Sequence, residues 1–184
     1  GQNSIIWRKD RFELVEGGAV AYPYFSGSPR PFPQILLREK HTGVQFHVTS
    51  YHNPANNAGH GNQDRNRARA LAMQIANAND LLKRSNRPMI ITGDMNARRD
   101  YVCPMVTHTP MRPAQGGGCA APSMGIDWVM GSAPKVAFRD YVQDRTTQRT
   151  GLSDHPLIFA TARVTGLPED RREAEDPFAV APVD

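Results

Sequence analysis

The stretch Met89-Ile90-Ile91-Thr92-Gly93-Asp94-Met95-Asn96 joins a short apolar run directly to two polar side chains. An apolar run of this length predicts a strand that is buried on both faces. Asp94 and Asn96 stand two residues apart, so in extended backbone they project from the same face and can address one ligand. A carboxylate is costly to bury here unless something binds it. One Gly-Asp turn is weak evidence by itself, because such turns also cap strands for structural reasons.

The residues before this stretch predict one long helix over residues 64–85. Apolar side chains recur in it at three- and four-residue steps, and Asn86 and Pro88 predict its end. A helix followed by a buried strand indicates a sheet that carries a helical layer.

Strands are predicted on both sides of this helix and strand. Residues 3–8 and 12–15 predict a hairpin, and the proline-rich residues 22–33 predict an extended loop. Residues 34–38 and 44–49 should pair antiparallel and lead into a polar loop, residues 50–62, of the kind that carries functional sites. Later strands are predicted over residues 126–130, 135–142 and 156–164. Strands dominate and one helix covers them, so the predicted class is α/β (α+β).

The composition is that of one soluble globular domain, with 39% hydrophobic and 22% charged residues. Its apolar runs fall far short of the roughly 18 residues that a membrane span requires. Residues 1–166 are predicted as the domain, and residues 167–184 as an acidic, proline-containing tail that is disordered or a linker. The net charge of +4 less the tail's −4 leaves the body at +8. A basic body attracts phosphate-bearing substrates, but basic surfaces equally often serve solubility alone.

Two cysteines, Cys103 and Cys119, lie 16 residues apart in a stretch that is rich in proline and glycine and predicts a loop. No further cysteine or histidine pair accompanies them, which argues against a zinc site. A disulfide between them would favour an exported or extracellular protein. Two unpaired thiols are the alternative.

Four motifs fall at the predicted strand ends: Tyr51-His52-Asn53-Pro54, Gly93-Asp94-Met95-Asn96, Gly125-Ile126-Asp127-Trp128 and Ser153-Asp154-His155-Pro156. Each alone is more typical of a structural role. Together they supply three carboxylates, two imidazoles and an amide, which hydrolysis of a phosphate ester needs as metal ligands, base and phosphate contacts.

These motifs resemble those of the endonuclease/exonuclease/phosphatase (DNase I-like) family over roughly residues 3–164. GDMN resembles the family's GDxN, SDHP its terminal SDH, and IDW and SYHNP its other strand ends. The resemblance implies a β-sandwich flanked by helices, in four α/β/β/α layers, and a requirement for Mg²⁺, or for Mn²⁺ or Ca²⁺. It does not imply one substrate, since the family includes nucleases, sphingomyelinases and phosphatases.

The resemblance also implies a role for each site residue. Asp94 would activate or position the attacking water, and Asn96 would hold the phosphate or that water. His155 would contact the phosphoryl oxygens with Asp127 as its orienting partner. Asp154 would join Asp94 in the metal site, and His52 would contact the phosphate or help the leaving oxygen depart. Whether His155 or Asp94 accepts the proton stays open.

The sequence departs from the family where its first half supplies an Asn and a metal-ligating Glu. In the family both stand upstream of a strand like residues 3–12, and neither is present here; the acids before residue 64 read as solvated turns or strand edges. Three explanations stay open: an N-terminal half on a separate chain or removed by cleavage, one that is disordered or omitted, or a diverged binding module. We accordingly expect a missing N-terminal half or a partner chain.

The expected function is metal-dependent hydrolysis of a phosphodiester or phosphomonoester by metal-activated water. The alternative is a non-catalytic phosphate-binding or interaction module of the same fold. Asn53, Arg98 and Arg99 are further candidates for substrate binding, although the two arginines are as typical of a solvated loop. A phosphate ester, including nucleic acid without sequence specificity, is the expected partner.

Overall fold

The computed structural model describes residues 3–120 and 125–166. Its elements, in chain order, are β1 (Phe12–Pro23), β2 (Pro29–Glu39), β3 (Gln45–His52), α1 (Asp64–Ser85), β4 (Met89–Asp94), α2 (Arg99–His108), β5 (Met111–Pro113), β6 (Asp127–Ser132), β7 (Val136–Asp144), α3 (Thr146–Arg149) and β8 (Leu157–Val164). Short 3₁₀ turns lie at Phe25–Gly27 and Gly118–Ala120.

Six strands form one sheet in the order β1-β2-β3-β4-β6-β5, and β7 pairs with β8 in a second, two-stranded sheet. Only the β3–β4 pair is parallel among the described strands. A parallel neighbour requires a crossover, which α1 supplies. As a result the carboxyl ends of β3 and β4 lie side by side, and β6 begins at the same edge of the sheet.

Helices α1 and α2 cover one face of the six-stranded sheet. The buried residues of α1 include Leu71 and Leu81, and they share one apolar core with the central strand residues Met89, Ile91 and Met130. The predicted bounds of this helix are confirmed. The apolar spacing that predicted it matches the buried face only in part, because Leu71 and Ala78 are buried while Ala68 and Ala72 are exposed.

The opposite face of the large sheet has a second core around Ile35, Leu37 and Phe46, to which Val164 of β8 contributes. The small sheet packs closely against β6 on this face. A Cβ added at Gly131 would lie only 2.4 Å from Cγ1 of Val136, so the contact leaves no room for a side chain there. A helical layer, the large sheet and the small sheet thus lie on one another, and the predicted α/β sandwich is confirmed.

The first predicted strand is wrong. Residues 3–8 belong to no strand, although their burial alternates and Ile5 and Trp7 pack against the second core. Ile6 is 92% exposed. The alternation reflects contact with the core, while no neighbouring strand in the described part of the chain offers a hydrogen-bonding ladder to this segment.

The predicted loop over residues 22–33 is largely wrong as well. Pro29, Pro31 and Pro33 lie in β2, paired with β1. The prolines recur every second residue, so their missing N–H groups lie on the same side of the strand. Strand β3 pairs with β2 only from Gln34 onward, so prolines are tolerated before that point.

The stretch around Cys103, predicted as a loop, contains helix α2. Tyr101, Val102 and Met105 are buried in the core between the helices and the large sheet. The remaining predicted strands are confirmed as β2 to β4 and β6 to β8. The tail, residues 167–184, lies outside the described residues. Within residues 3–120 and 125–166, no helix is both long enough and apolar enough to cross a membrane.

Candidate active site

His52, Asp94 and Asp127 lie next to one another at one edge of the large sheet because each occupies the end of a strand. His52 is paired with Asp94 across β3 and β4, and Asp94 is paired with Asp127 across β4 and β6. The Nε2 atom of His52 lies 3.6 Å from Oδ2 of Asp94. Strand register alone thus brings together side chains that are up to 75 residues apart.

His155 reaches this group from the turn that precedes β8. Its Nδ1 donates to Oδ2 of Asp127 at 2.8 Å, and its Nε2 lies 3.9 Å from Oδ2 of Asp94. Helix α3 fixes the turn, since Thr147 donates its hydroxyl to the His155 carbonyl at 2.7 Å and Gln148 donates to the Asp154 carbonyl at 2.8 Å. The imidazole is therefore held from two sides.

Asn96 is held in a left-handed conformation with φ of 48°. Its backbone N–H donates to Oδ1 of Asp94 at 2.7 Å, and its side-chain amide donates to Oδ2 of Asp94 at 3.1 Å and to the Asn53 carbonyl at 2.8 Å. Asn tolerates this conformation better than most residues. The GDMN turn therefore orients the Asp94 carboxylate with two donors from one residue.

Asn53 is buried, with 2% of its surface exposed. Its side-chain oxygen accepts from Gln74 of α1 at 2.8 Å, and its N–H donates to the Asp94 carbonyl at 2.9 Å. Through these contacts Asn53 links the GDMN turn to α1. The predicted contact of Asn53 with substrate stays a prediction.

The protonation equilibria of the group are shifted in different directions. Burial raises the pKa of Asp94, with a further increase from the Asp127 carboxylate. Burial lowers the pKa of His52 despite the opposing effect of Asp94. The hydrogen bond to Asp127 raises the pKa of His155. Neutral His52 and protonated His155 are the forms that these environments favour.

Asp94, Asp127 and His155 each offer one ligating atom within 4.8 Å of the others. The two carboxylates suit a divalent cation such as Mn²⁺ or Mg²⁺ that keeps part of its water shell, and the imidazole could join them as a ligand only in its neutral form. Asp154 lies apart from this group: its side chain is 95% exposed, and its Oδ1 is 4.0 Å from Nε2 of His155. Its predicted role as a metal ligand stays a prediction.

Sequence reasoning missed two neighbours of His52. The ring of Tyr24 meets the imidazole edge-on with centroids 5.9 Å apart, and the Arg30 guanidinium lies 4.4 Å from the centre of the Tyr24 ring. Both residues belong to the segment that was predicted as a loop. Only the pairing of β1 with β2 brings them to the site, so no motif could have identified them.

The structure joins Cys103 to Cys119 in a disulfide, as predicted. The bridge ties α2 to the 3₁₀ turn Gly118–Ala120, and a guanidinium nitrogen of Arg99 lies 3.7 Å from Sγ of Cys119. Arg98, in contrast, lines a polar cavity together with His155. The two predicted arginines therefore point to different surroundings.

Solved structures of this fold resemble the chain closely in shape. The human Nocturnin catalytic domain with bound sulfate superposes with a TM-score of 0.67 at 18% identity, over 85% of this chain. A Bacteroides vulgatus endonuclease/exonuclease/phosphatase gives 0.65 at 17% identity over 86%. The chain has the endonuclease/exonuclease/phosphatase fold.

Another structure with the endonuclease/exonuclease/phosphatase fold, D. rerio TDP2 complexed with single strand DNA product, has a TM-score of 0.61 at 16% identity and is matched over 84% of this chain. The chain spans 62% of the Nocturnin domain, 69% of the B. vulgatus protein and 70% of TDP2. The sequence matches no protein-family model and no curated protein. These matches do not support the expected partner chain or separate N-terminal half, which stays a prediction.

Proposed function

We propose that the protein is a divalent-metal-dependent phosphoesterase that hydrolyses a phosphate ester by in-line attack of water. The observation that carries this proposal is the convergence of Asp94, Asp127, His155 and His52 at one sheet edge. Hydrolysis of a phosphate ester needs groups that position water, neutralise charge and move a proton, and each is present within this group.

Asp94 is the residue that positions the attacking water and accepts its proton. Burial raises its pKa, which makes its carboxylate a better base than one in solution. The two donors from Asn96 fix the direction of its lone pairs. Water held by Asp94 would therefore approach the phosphorus in one orientation. The loss of entropy on aligning it would then occur on binding and not in the chemical step.

His155 stabilises the phosphoryl oxygens. Its Nδ1 proton is directed to Asp127, so its Nε2 faces the space beside Asp94. A raised pKa favours the imidazolium, which donates a charge-assisted hydrogen bond to an oxygen that gains negative charge in the transition state. His52 contacts the phosphate or assists departure of the leaving oxygen from the other side of Asp94.

The carboxylates of Asp94 and Asp127 would hold the cation, which we propose to be Mg²⁺, or Mn²⁺ or Ca²⁺ in its place. When bound, such an ion neutralises phosphate charge and lowers the pKa of water. The protonated His155 would remain available to the substrate, since an imidazolium nitrogen has no lone pair for a metal.

A phosphodiester of the nucleic-acid type is the substrate class that we favour. The body of the chain is basic, at +8 over residues 1–166. The resemblance in fold to a TDP2 structure that contains a single strand DNA product is in keeping with this class. Because the chain spans only 62% to 70% of the three compared structures, activity of this chain by itself is part of the proposal.

A non-catalytic phosphate-binding module is the second candidate. Among the described residues, the three that could hold a metal are Asp94, Asp127 and His155, and none of them is a glutamate. The resemblance, in contrast, implies a metal-ligating Glu. A site without that ligand could bind phosphate without turning it over.

Hydrolysis of bis-p-nitrophenyl phosphate with Mg²⁺ or Mn²⁺, compared with an EDTA control, distinguishes the two candidates. An Asp94→Ala enzyme should lose about 100- to 10,000-fold in turnover. Asp80→Ala, which removes an exposed carboxylate of α1, is the matched control and should be unchanged. Unaltered turnover in Asp94→Ala would refute the mechanism. Phosphate binding without hydrolysis, in this chain and in its longest natural precursor, would favour the binding module.

We also propose that the protein works in an oxidising compartment, as an exported or extracellular protein. The Cys103–Cys119 disulfide supports this, because such bridges are rare where thiols are kept reduced. A thiol titration of protein from its native source should find no free cysteine. Two reactive thiols would remove the basis for export.

A further inference from the structure

A cavity of about 360 Å³ opens beside the active-site imidazole and shares His155 and Asp127 with it. Its other polar walls come from three different elements. Arg98 precedes α2 and Gln143 lies in β7. Arg145 directly precedes α3, and Gln148 lies in that helix. Its size is at the lower end of cavities that hold small ligands, which is enough for a phosphate with an attached sugar.

With His155 protonated, the ionisable side chains that line this cavity carry one net positive charge, from Arg98, Arg145 and His155 against Asp127 and Asp154. The Asp127 carboxylate already accepts from His155. The amide of Gln148 is anchored to the Asp154 carbonyl at 2.8 Å. Within residues 3–120 and 125–166, the Arg145 side chain makes no hydrogen bond or ion pair, so its donors are open to a ligand.

We infer that this cavity binds a second phosphate of the substrate, next to the phosphate that is attacked at Asp94 and His155. Arg145 is the specificity-determining residue, because its planar guanidinium can bind two phosphate oxygens at once. The substrate class is then a phosphate ester with a further phosphate one sugar away, as in a nucleotide chain. The inference deepens the proposed phosphoesterase function and rests on it.

The position of α3 gives this inference its physical basis. The short helix that orients the His155 turn through Thr147 and Gln148 directly follows Arg145, its N-cap residue. The helix therefore holds the backbone of Arg145 close to the turn that carries His155, so one substrate could reach both side chains. A substrate with only one phosphate would use the first contact alone.

Binding measurements test this without requiring turnover. Isothermal titration with thymidine 3′,5′-bisphosphate, thymidine 5′-monophosphate and thymidine 3′-monophosphate, in buffers with Mg²⁺, compares one phosphate with two. The bisphosphate should bind about tenfold or more tightly than either monophosphate, as expected for charge-assisted hydrogen bonds. In Arg145→Gln this advantage should disappear, and the salt dependence of bisphosphate binding should fall by a slope of about one.

Arg149→Gln is the matched control, since Arg149 lies in the same helix, is exposed and donates to the hydroxyl of Thr146 instead of lining the cavity. It should keep the preference for the bisphosphate. Equal affinity of the unaltered protein for one and two phosphates would overturn the inference, as would an equal loss in both variants.

Turnover separates this inference from the proposed function. If bis-p-nitrophenyl phosphate is not hydrolysed but the bisphosphate preference depends on Arg145, the phosphoesterase fails while the second-phosphate site stands. If hydrolysis occurs and Arg145→Gln slows bis-p-nitrophenyl phosphate as much as it slows a dinucleotide with a terminal phosphate, the second-phosphate site fails while the enzyme stands.

Discussion

Nδ1 of His155 donates to Oδ2 of Asp127 at 2.8 Å, across 28 residues of sequence. The bond joins the turn before β8 to the first residue of β6 and so connects the small sheet to the large one at the site. A carboxylate in this position fixes the ring orientation and stabilises the charged imidazole.

Asp127→Asn should abolish most of the activity while leaving the fold intact. The amide keeps the size of the carboxylate but loses the negative charge that stabilises His155 as an imidazolium. We expect kcat to fall by about 100- to 10,000-fold, with a smaller change in KM. Steady-state kinetics on bis-p-nitrophenyl phosphate measures this. The control is Asp140→Asn, an exposed change in β7 at a left-handed position that Asn tolerates, and this variant should have normal kinetics. Normal kinetics in Asp127→Asn would contradict the proposed role of the Asp127–His155 hydrogen bond.

Gly93→Ala should destabilise the protein strongly. Gly93 has a φ of 133°, and a Cβ added there would lie 1.9 Å from the carbonyl oxygen of Tyr51 in the parallel neighbour β3. Either the strands separate or the GDMN turn moves, and we expect a loss of about 3 kcal/mol or more in the free energy of unfolding. Urea denaturation followed by circular dichroism gives the value. Gly18→Ala, with its nearest atom at 3.8 Å and no positive φ, should change stability little.

Removal of the Cys103–Cys119 bridge should lower stability without changing the site directly. The bridge closes a loop with a sequence separation of 16 residues, and the loop-entropy model predicts a loss of about 3 kcal/mol. Thermal unfolding of a Cys103→Ser/Cys119→Ser protein, with and without reductant, tests this. Reductant should lower the melting temperature of the unaltered protein and have no effect on the double variant. Equal melting temperatures for all four samples would show that the bridge does not form.

Stability should fall on mild acidification because of His47. This residue is 7% exposed in β3, and its Nε2 lies 3.1 Å from Oγ of Ser85. Burial first, and then Arg87, lower its pKa below the ordinary 6.5. The unfolded chain therefore binds the proton more readily, so the contribution is full above pH 6.5 and is lost as the pH falls towards the lowered pKa.

His47→Gln, which keeps a polar group opposite Ser85, should have a free energy of unfolding that depends less on pH below 6.5 than that of the unaltered protein. Urea denaturation at several pH values provides the comparison. His41→Gln changes an exposed turn residue and should leave the pH dependence as it was. If His47→Gln and the unaltered protein lose stability in parallel, another group carries the acid sensitivity.

The sequence predicted those parts of the fold that have a strong apolar periodicity or that are determined by residues close together in the chain. The bounds of α1 followed from apolar spacing and from the stop signals Asn86 and Pro88. Strand β4 followed from its apolar run, and the GDMN turn from its polar end. These signals are local, because helix periodicity and strand burial act on each segment directly.

The errors arose where distant contacts decide the structure. Pro31 in β2 is tolerated because, among the described strands, β1 alone pairs with that part of β2. Helix α2 contains Pro104, which masked the helical spacing of Tyr101 and Met105. Trp7 alternates in burial with its neighbours, but a strand also needs a pairing partner, and sequence does not reveal whether one is present.

The candidate site shows the same division. The motifs predicted that Asp94, Asp127 and His155 would belong together, and the structure places them within reach of one ion. Tyr24 beside His52 and Arg145 beside His155 come from segments without a recognisable motif. Their positions depend on strand pairing and on the placement of α3, which residue types alone do not encode.

The disulfide between α2 and the Gly118–Ala120 turn has a consequence for a cleaved protein. Gly116 and Gly117 are exposed between the two cysteines, where a protease could nick the backbone. The nick would put His52 and Asp94 on one fragment and Asp127 and His155 on the other. Under oxidising conditions the bridge would keep both fragments in one molecule, so these four side chains would stay together after cleavage until a reductant separated the fragments.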